Sequence, residues 1–468
     1  MPLFSRKASR VLVIGLDCAS PDLIFRQFND QLPTLRGLMA RGTWGILESS
    51  IPCITVPAWA SMTSSRDPGV LGVYGFRNRA DHSYGRMITA DGSAIHEKRV
   101  WDVLSDAGKA ALIANVPQTY PPRPLNGNLI SDFLTPGRES VFTYPAMLKS
   151  EVLGLAPDYD FDVRNFRTTE RGELLDKLIA LTDVQYRVFE LLLKRKPWDF
   201  AMQVNIALDR IHHGFWRYHD PEHRLHEPDS RFRHAIRDYY RHVDGWIKRL
   251  LEAVPEDTVT LVVSDHGVKR MDGGICINEW LWQNGWLVLN TPPKPGEILK
   301  FEEADVDWSR TRAWASGGYY GRMFFNVQGR EPQGVITPAD LPRVRAELIT
   351  QLKAIPDHEG KPLHHTIHIA EQIYQQVNGI APDLIVYFGD LHWRAIGSLG
   401  YGRHWTFEND TGPDDANHAV EGMFIWHDPR LKGQGQIAPR QLMDIAPTLL
   451  HQLGVKIPAD MQGTSILR

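Results

Sequence analysis

Short apolar runs, each ending abruptly at a polar residue or a glycine, recur along the chain. The clearest of them cover residues 11–14, 111–114, 198–204 and 259–263. Runs that are largely apolar are typical of strands buried on both faces of a parallel sheet, whereas half-exposed strands alternate between apolar and polar positions. The pattern therefore predicts a parallel sheet that is covered on both faces.

Two longer segments repeat apolar residues at helical spacing. The first contains Leu174, Leu178, Leu181, Val188 and Leu192, and the second contains Phe232, Ile236, Tyr240, Val243 and Ile247. Because predicted strands and helices alternate, the fold class is α/β, with helices on both faces of the sheet. A last helix is predicted near residue 444, where Pro447 suits a first turn and Gly454 a helix end.

Residues 292–403 interrupt this alternation. They are rich in glycine and proline and contain short alternating runs, such as residues 322–327. We interpret them as an inserted α+β subdomain on the substrate side, and residues 1–291 and 404–468 as the catalytic core. The polar segment 77–97 is predicted to form a lid loop.

The overall charge argues against an electrostatic nucleic-acid binder. Lys and Arg total 52 and Asp and Glu total 56, which gives a formal net charge of −4. No apolar run reaches the roughly 18 residues of a membrane helix, and the run at residues 11–16 is shorter than the core of a signal peptide. The three cysteines, Cys18, Cys53 and Cys276, are too widely spaced to indicate a disulfide framework. We therefore expect neither a nucleic-acid polymer nor a membrane as partner, and a cytoplasmic location.

Acidic and histidine residues gather near the ends of the predicted strands. In chain order they are Asp17, Asp209, His213, Asp265, His266 and, just before the apolar run 423–426, His418. Ligands of open α/β sheets bind beyond the carboxyl ends of the strands. Three carboxylates and three imidazoles are the ligand types that a pair of zinc-like ions requires. Each residue also has a purely structural interpretation, as a helix cap or as a chance neighbour in a chain with 19 histidines.

A further polar residue, Thr55, stands in the segment 51–64, where Pro52 and Pro57 flank the start of a predicted helix. The structural interpretation is a turn whose Thr and Ser residues cap the helix. The functional interpretation places the Thr55 hydroxyl at a helix N-terminus, where free backbone N–H groups and the helix dipole favour an anion such as phosphate. A bound metal could lower the pKa of this hydroxyl and make it a nucleophile.

The order of these motifs resembles the type I phosphodiesterase and nucleotide pyrophosphatase group of the alkaline phosphatase superfamily. The resemblance rests on Asp17, Thr55-x-Pro57, Asp209-x-x-x-His213, Ser264-Asp265-His266-Gly267 and His418, and it covers nearly the whole chain. It implies a three-layer sandwich around a central, mostly parallel sheet, as in alkaline phosphatase.

The resemblance also implies two metal sites around a threonine nucleophile. Asp17, Asp265, His266 and the Thr55 oxygen would hold one divalent cation, and Asp209, His213 and His418 would hold the other. Two imidazoles and one carboxylate favour zinc at the second site, whereas the first site could accept manganese. We expect zinc as the main cofactor.

Several positions depart from the family pattern. Ser65 and Leu71-Gly72 replace a glycine and a His-Gly pair, and Phe76 replaces an asparagine that helps to hold phosphate, with Asn78 as a candidate substitute. Nucleotide specificity is therefore left open. Sulfatases of the superfamily need a Cys or Ser nucleophile and an arginine four residues later, where this chain has Thr55 and Trp59.

The implied function is hydrolysis of phosphodiester or phosphoanhydride bonds in a small, nucleotide-like phosphate ester, through a phospho- or nucleotidyl-threonine. Alternatives are a phosphomonoesterase or phosphonate hydrolase, a phosphomutase or phosphotransferase, and a catalytically silent binding protein. The sequence leaves the oligomeric state open. Diesters are expected to react better than monoesters, because no additional cation is evident near Thr55 unless Arg77 or Arg403 folds over the site.

Overall fold

The computed structural model describes residues 10–467, so the ends of the predicted core at residues 1–9 and 468 lie outside the described residues. The first strands are β1 Val11–Leu16, β2 Thr43–Glu48, β3 Arg77–Arg79, β4 Met87–Thr89, β5 Ala111–Ala114, β6 Gly127–Ile130, β7 Thr143–Tyr144, β8 Phe200–Asn205, β9 Val259–Val263 and β10 Gly267–Arg270. The later strands are β11 Gly273–Cys276, β12 Ala313–Ser316, β13 Gly321–Phe325, β14 Thr366–Ile369, β15 Leu384–Tyr387, β16 Trp393–Ile396, β17 Trp405–Thr406, β18 Ala416–Ala419, β19 Glu421–His427, β20 Gly435–Gln436 and β21 Arg440–Gln441.

The helices connect these strands. They are α1 Pro33–Arg41, α2 Thr55–Ser64, α3 Pro68–Leu71, α4 Val100–Asp106, α5 Leu148–Leu155, α6 Arg171–Arg195, α7 Ala207–His219, α8 Ala235–Glu252, α9 Ile277–Gln283, α10 Leu341–Lys353, α11 Ala370–Ile373 and α12 Ile445–Gln452. Helices α6 and α8 contain most of the two predicted periodic segments, and α12 has Pro447 in its first turn. These predicted helices are confirmed.

A large central sheet organises the molecule. Its strand order is β20-β2-β19-β9-β1-β8-β5-β6-β7, with β21 also paired to β2. Strands β9, β1, β8, β5 and β6 are parallel, and β19 runs antiparallel between β9 and β2. The four predicted buried strands are thus adjacent in one sheet, and the predicted α/β class with a mostly parallel sheet is confirmed.

The two faces of the sheet support separate hydrophobic cores. Along β1, Leu12 and Ile14 point into a core shared with α6, α7 and α8, whereas Val11 and Val13 point into a core shared with α2, α4 and α12. This alternation follows from the two-residue period of a strand. It produces the predicted three layers, with helices on both faces.

A third core lies beside the sheet edge where the parallel strands end. It packs around the antiparallel sheet β12-β13-β15-β14 and includes side chains from Ile275 to Leu399. The short sheet β16-β11-β17 adjoins it. The boundaries 292–403 for an inserted subdomain stay a prediction.

The segment 77–97 forms more structure than the predicted lid loop. Strands β3 and β4 pair as an antiparallel hairpin, from Arg77 opposite Thr89 to Arg79 opposite Met87. Buried Arg79 anchors the hairpin, because its guanidinium lies over the rings of Trp314 and Phe324 and pairs with Glu331 at 3.1 Å. Strands of three residues are too short to show alternation in the sequence.

No helix within residues 10–467 has the length and apolar character that crossing a membrane would require.

Gly15 in β1 has no room for a side chain. A Cβ atom at this position would lie 2.6 Å from Trp59 Cη2 and 2.7 Å from Val204 Cγ2. We expect Gly15→Ala to lower the free energy of unfolding by about 1–3 kcal/mol, the usual cost of overpacking. Gly245→Ala is the control, because a Cβ on this α8 residue meets no atom within 4 Å. If Gly15→Ala and Gly245→Ala had the same midpoint of urea unfolding, the predicted overpacking at Gly15 would be wrong.

Candidate active site and metal centre

All seven predicted site residues meet at the carboxyl edge of the central sheet. They are buried, at most 2% exposed: Asp17, Thr55, Asp209, His213, Asp265, His266 and His418. Parallel pairing sets Leu16 opposite Asn205 and Gly15 opposite Val263, so the residues that follow β1, β8 and β9 emerge together. The structure therefore brings together residues that the sequence separates by up to several hundred positions.

Thr55 is the first residue of α2. The preceding residue, Ile54, is extended, and Ala58 N donates to Ile54 O at 3.0 Å to begin the helical hydrogen-bond ladder. The amides of Thr55 and Val56 lie ahead of this ladder, at the end of the helix that favours anions. The Thr55 Oγ1 lies 3.5 Å from His266 Nε2.

The first group of candidate ligands surrounds His266 Nε2. This atom lies 3.8 Å from Asp17 Oδ1 and 3.3 Å from Asp265 Oδ2. One oxygen of each carboxylate is held in place: Asp17 Oδ2 accepts from Trp59 Nε1 at 2.6 Å, and Asp265 Oδ1 accepts from Cys18 N at 3.2 Å. The other oxygens, Asp17 Oδ1 and Asp265 Oδ2, have no hydrogen-bond partner among the described residues. Such buried, unpartnered acceptors are rare unless an ion or a water satisfies them.

The second group surrounds Asp209 Oδ1. His213 Nε2 lies 3.2 Å from this oxygen and His418 Nε2 lies 3.6 Å from it. His418 Nε2 has no other partner within residues 10–467, and Arg210 holds the second oxygen of Asp209 at 2.6 Å. His266 joins the two groups, since its ring stacks on that of His418 with centroids 3.9 Å apart.

Each of the three histidines is fixed through its Nδ1 atom. His266 Nδ1 donates to Gly267 O at 3.0 Å, and His418 Nδ1 donates to Cys53 O at 3.1 Å. His213 Nδ1 lies 2.7 Å from Asp414 Oδ1 and 3.1 Å from Ala416 O. Because a carbonyl can only accept, the proton of His266 and of His418 is on Nδ1, and the Nε2 lone pair of each faces the site, as in metal-ligating histidines.

Burial and the closeness of like charges shift the pKa values of the acidic groups. Burial raises the pKa of Asp17 and that of Asp265 well above the ordinary value, and neighbouring carboxylates raise both further. Burial also favours the protonated form of Asp209, but His213 and Arg210 hold its pKa well below the usual range. Buried carboxylates at this density are costly without cations, so the donor set fits a pair of divalent metal ions.

The pKa values of the three imidazoles differ because their surroundings differ. Burial lowers the pKa of His266 to about 4 and lowers that of His418 well below its ordinary value. Burial acts in the same direction on His213, but Asp414 and Asp209 raise its pKa to about 9. His266 and His418 are therefore neutral, the form that binds a metal.

A cavity of about 360 Å³, called here the metal-side cavity, opens beside these groups. Thr55, Asp209 and His418 line its inner end, and Tyr319, from the turn between β12 and β13, forms a wall. The Tyr319 ring stacks on His213 with centroids 5.0 Å apart, and its hydroxyl donates to Asp414 Oδ2 at 3.0 Å. The antiparallel sheet β12-β13-β15-β14 thus supplies part of the site through the turn that carries Tyr319.

Several residues at the site were not identified from sequence. Trp59 stands out in the sequence only because sulfatases carry arginine at this place. Asp414 and Arg210 carry a weak signal, as acidic or basic neighbours of predicted ligands. Tyr319 has no signal of its own in the sequence. Asn78 does not reach the metal-side cavity, because its amide bonds Tyr74 N at 2.8 Å and Gly75 O at 3.2 Å within its own turn.

The three cysteines are free and buried. Cys18 Sγ donates to Gly267 O at 3.3 Å. Its backbone has a φ of 63°, in the left-handed region, and this turn directs Cys18 N toward Asp265. Cys18 therefore shapes the site through its backbone.

Comparison with known proteins agrees with this geometry. A sequence model described as type I phosphodiesterase / nucleotide pyrophosphatase matches residues 11–414. No curated protein matches the chain significantly in sequence.

The fold is similar to that of solved ectonucleotide pyrophosphatase / phosphodiesterase 5 structures. The human protein has a TM-score of 0.56 at 13% identity, over 97% of both chains. The mouse protein, as an inactive threonine-to-alanine variant in complex with AMP, has a TM-score of 0.55 at 13% identity, over 96% of both chains. At this identity the likeness shows the fold alone, and the match over residues 11–414 identifies the family. The chain is a member of the type I phosphodiesterase/nucleotide pyrophosphatase family, within the alkaline phosphatase superfamily.

Proposed function

We propose that this protein is a two-metal hydrolase that cleaves phosphodiester or phosphoanhydride bonds through a covalent intermediate on Thr55. The family supports hydrolysis of phosphate esters, and the mouse relative's complex with AMP supports a small nucleotide-like substrate. The observation that carries the proposal is the set of unpartnered, buried ligand atoms near Thr55, namely Asp17 Oδ1, Asp265 Oδ2 and His418 Nε2.

The metal ligands divide into two sets. Asp17, Asp265 and His266, with the Thr55 oxygen, would hold one divalent cation, and Asp209, His213 and His418 would hold the other. When bound, the two ions would lower the pKa of the Thr55 hydroxyl and offset the negative charge of the phosphoryl oxygens. The imidazoles favour zinc, and the more acidic first set also accepts manganese.

The chain's own groups position the substrate for displacement at phosphorus. Thr55 Oγ1 forms a bond to phosphorus, the bond from phosphorus to the leaving oxygen breaks, and the hydroxyl proton passes to solvent. The free amides at the start of α2 stabilise charge on the phosphoryl oxygens. Water then attacks the phospho- or nucleotidyl-threonine, and the Thr55 oxygen leaves with a proton. Tyr319 and Phe76, which line the metal-side cavity, limit the access of bulk water.

We expect Thr55→Ala to reduce hydrolysis of bis(p-nitrophenyl) phosphate to background, because it removes the atom that attacks phosphorus. The variant should fold and bind metal like the wild type, since Thr55 supplies only one ligand. Thr55→Ser, which keeps a hydroxyl, should retain measurable turnover through a covalent serine p-nitrophenyl phosphodiester. Near-normal kcat in Thr55→Ala would exclude Thr55 as the nucleophile.

Metal analysis of the purified protein should approach two divalent ions per chain, and chelation should abolish hydrolysis. Asp265→Asn should lower the occupancy to about one ion, because it removes the charge of an unpartnered ligand oxygen. Asp257→Asn is a matched control at the exposed, opposite end of β9. Full activity of metal-free protein would contradict the two-metal mechanism.

Asp414 should act by positioning His213. We expect Asp414→Asn to weaken metal binding at the second site by roughly 10–100-fold, the usual effect of losing a carboxylate that orients a metal-ligating histidine. The measurement is a competition titration with a metal-sensitive dye. Asp229→Asn, at an exposed position, is the control. Equal metal affinities in the two variants would show that Asp414 has no such role.

A further inference from the structure

A second cavity, called here the outer cavity, adjoins the metal-side cavity. Its volume is about 490 Å³. The two cavities share a wall made by Arg77, Gly317, Gly318, Arg322, Arg394 and Thr411. The three arginines of this wall are called here the arginine junction. Anything that extends from Thr55 into the outer cavity must pass them.

The junction carries more positive than negative charge. Arg394 pairs with Asp410 at 3.2 Å, but among residues 10–467 neither Arg77 nor Arg322 forms an ion pair with a carboxylate. The other two arginines of the metal-side cavity differ, since Arg167 pairs with Asp414 and Arg210 with Asp162 and Asp209. Two guanidinium charges of the junction are therefore left without a counter-charge.

Arg322 is held where an anion could reach it. It is half-buried, and it donates to neutral acceptors only: Arg77 O, Ser316 Oγ at 2.7 Å and Gly317 O at 3.4 Å. Burial lowers the pKa of Arg322, Tyr320 opposes this effect, and the charge of Arg77 adds to the lowering. Since Arg77 and Arg322 line the same cavity, an anion bound there would be attracted by both charges.

Arg394 gives an independent indication of a ligand. Its side chain is 4% exposed and lines both cavities, and its Nε–H has no partner among the described residues. Buried guanidinium N–H groups normally find an acceptor. A planar guanidinium fork with a free N–H suits phosphate or carboxylate oxygens.

We propose that the arginine junction is a second anion subsite, and that the preferred substrate carries an anionic group in addition to the phosphoryl group attacked by Thr55. This inference rests on the proposed function for the position of the attacked phosphorus. Among the phosphate esters and anhydrides of the proposed function, the arginine junction would select those that carry a further phosphate or carboxylate beside the attacked phosphorus. The outer cavity leaves room for the substrate to continue beyond this group.

The expectation that diesters react faster than monoesters stays a prediction. It assumes that no additional cation lies near Thr55, whereas Arg77 and Arg322 line the metal-side cavity. A simple diester such as bis(p-nitrophenyl) phosphate leaves the junction without an anion. It should therefore react more slowly than a diester that carries a second charge.

The subsite can be tested without turnover in the Thr55→Ala background. Isothermal titration of the metal-loaded protein would give dissociation constants for inorganic phosphate and for pyrophosphate, which differ by one anionic group. We expect pyrophosphate to bind at least about tenfold more tightly, the scale of one charge-assisted hydrogen bond. Metal analysis after each titration detects removal of the ions by pyrophosphate.

Adding Arg322→Gln or Arg77→Gln should reduce this preference to less than about threefold. Adding Arg86→Gln should preserve it, because Arg86 precedes β4 of the same hairpin, pairs with Asp81 and lines neither cavity. Arg86→Gln removes one positive charge, as Arg322→Gln and Arg77→Gln each do. Three outcomes would overturn the subsite. Phosphate and pyrophosphate would bind equally, neither would bind, or the preference for pyrophosphate would survive in both junction variants.

Failure of the subsite and failure of the proposed function give different results. Wild-type protein that does not hydrolyse bis(p-nitrophenyl) phosphate, pyrophosphate or ADP with metal present contradicts the proposed function. A pyrophosphate preference that depends on Arg322 would still stand in that case. If the protein hydrolyses these substrates but shows no preference for pyrophosphate over phosphate, the proposed function stands and the subsite is contradicted.

Discussion

The arrangement of the site depends on three carboxylates that are buried close together. Asp17, Asp209 and Asp265 are each at most 1% exposed. Removing a carboxylate from water costs several kcal/mol unless an opposite charge compensates. In Asp17 and Asp265 one oxygen is fixed by a donor and the other has no partner among the described residues, whereas the two oxygens of Asp209 meet Arg210 and His213. Divalent cations at this point would convert an unfavourable cluster of charges into a stable and reactive one.

The parallel sheet explains how such a cluster can form. Strands β9, β1 and β8 deliver their following residues to one edge, and the antiparallel return through β18 and β19 brings His418 to the same place. The start of α2 then presents Thr55 among the ligands. Rigid elements rather than loops hold most of these groups, which is the condition for precise positioning of a nucleophile.

Charge of the opposite sign accumulates on the outer side of the site. The β3–β4 hairpin contributes Arg77, and the antiparallel sheet of the third core contributes Arg322. The acidic centre suits cations, whereas the arginine junction suits an anion. A substrate that bridges the two would be bound and oriented by both. Such an arrangement would separate the chemistry, at the sheet edge, from substrate selection, in the hairpin and the antiparallel sheet beside it.

The sequence by itself predicted the four buried strands of the parallel sheet and the principal helices, and the order of its motifs, through the family resemblance, gave the candidate ligands. The strands could be predicted because their apolar runs are buried on both faces, whereas each Asp, His or Thr residue was ambiguous alone and became a candidate through the order of the motifs along the chain. The pairing of residues 77–79 with 87–89 could not be predicted, since strands of three residues show no periodicity. The contact from Trp59 to Asp17 was missed for another reason, because an indole N–H gives no sign in sequence of the carboxylate that it meets.

Only the tertiary structure decided which arginines lack a counter-charge. Arg77, Arg322 and Arg394 lie far apart in the chain, and nothing in their local sequence distinguishes them from Arg167 or Arg210, which form ion pairs. Whether a guanidinium is neutralised depends on which carboxylate the folded chain places within about 4 Å of it. That distance is set by the packing of the hairpin and the third core against the sheet edge, and no local pattern encodes it.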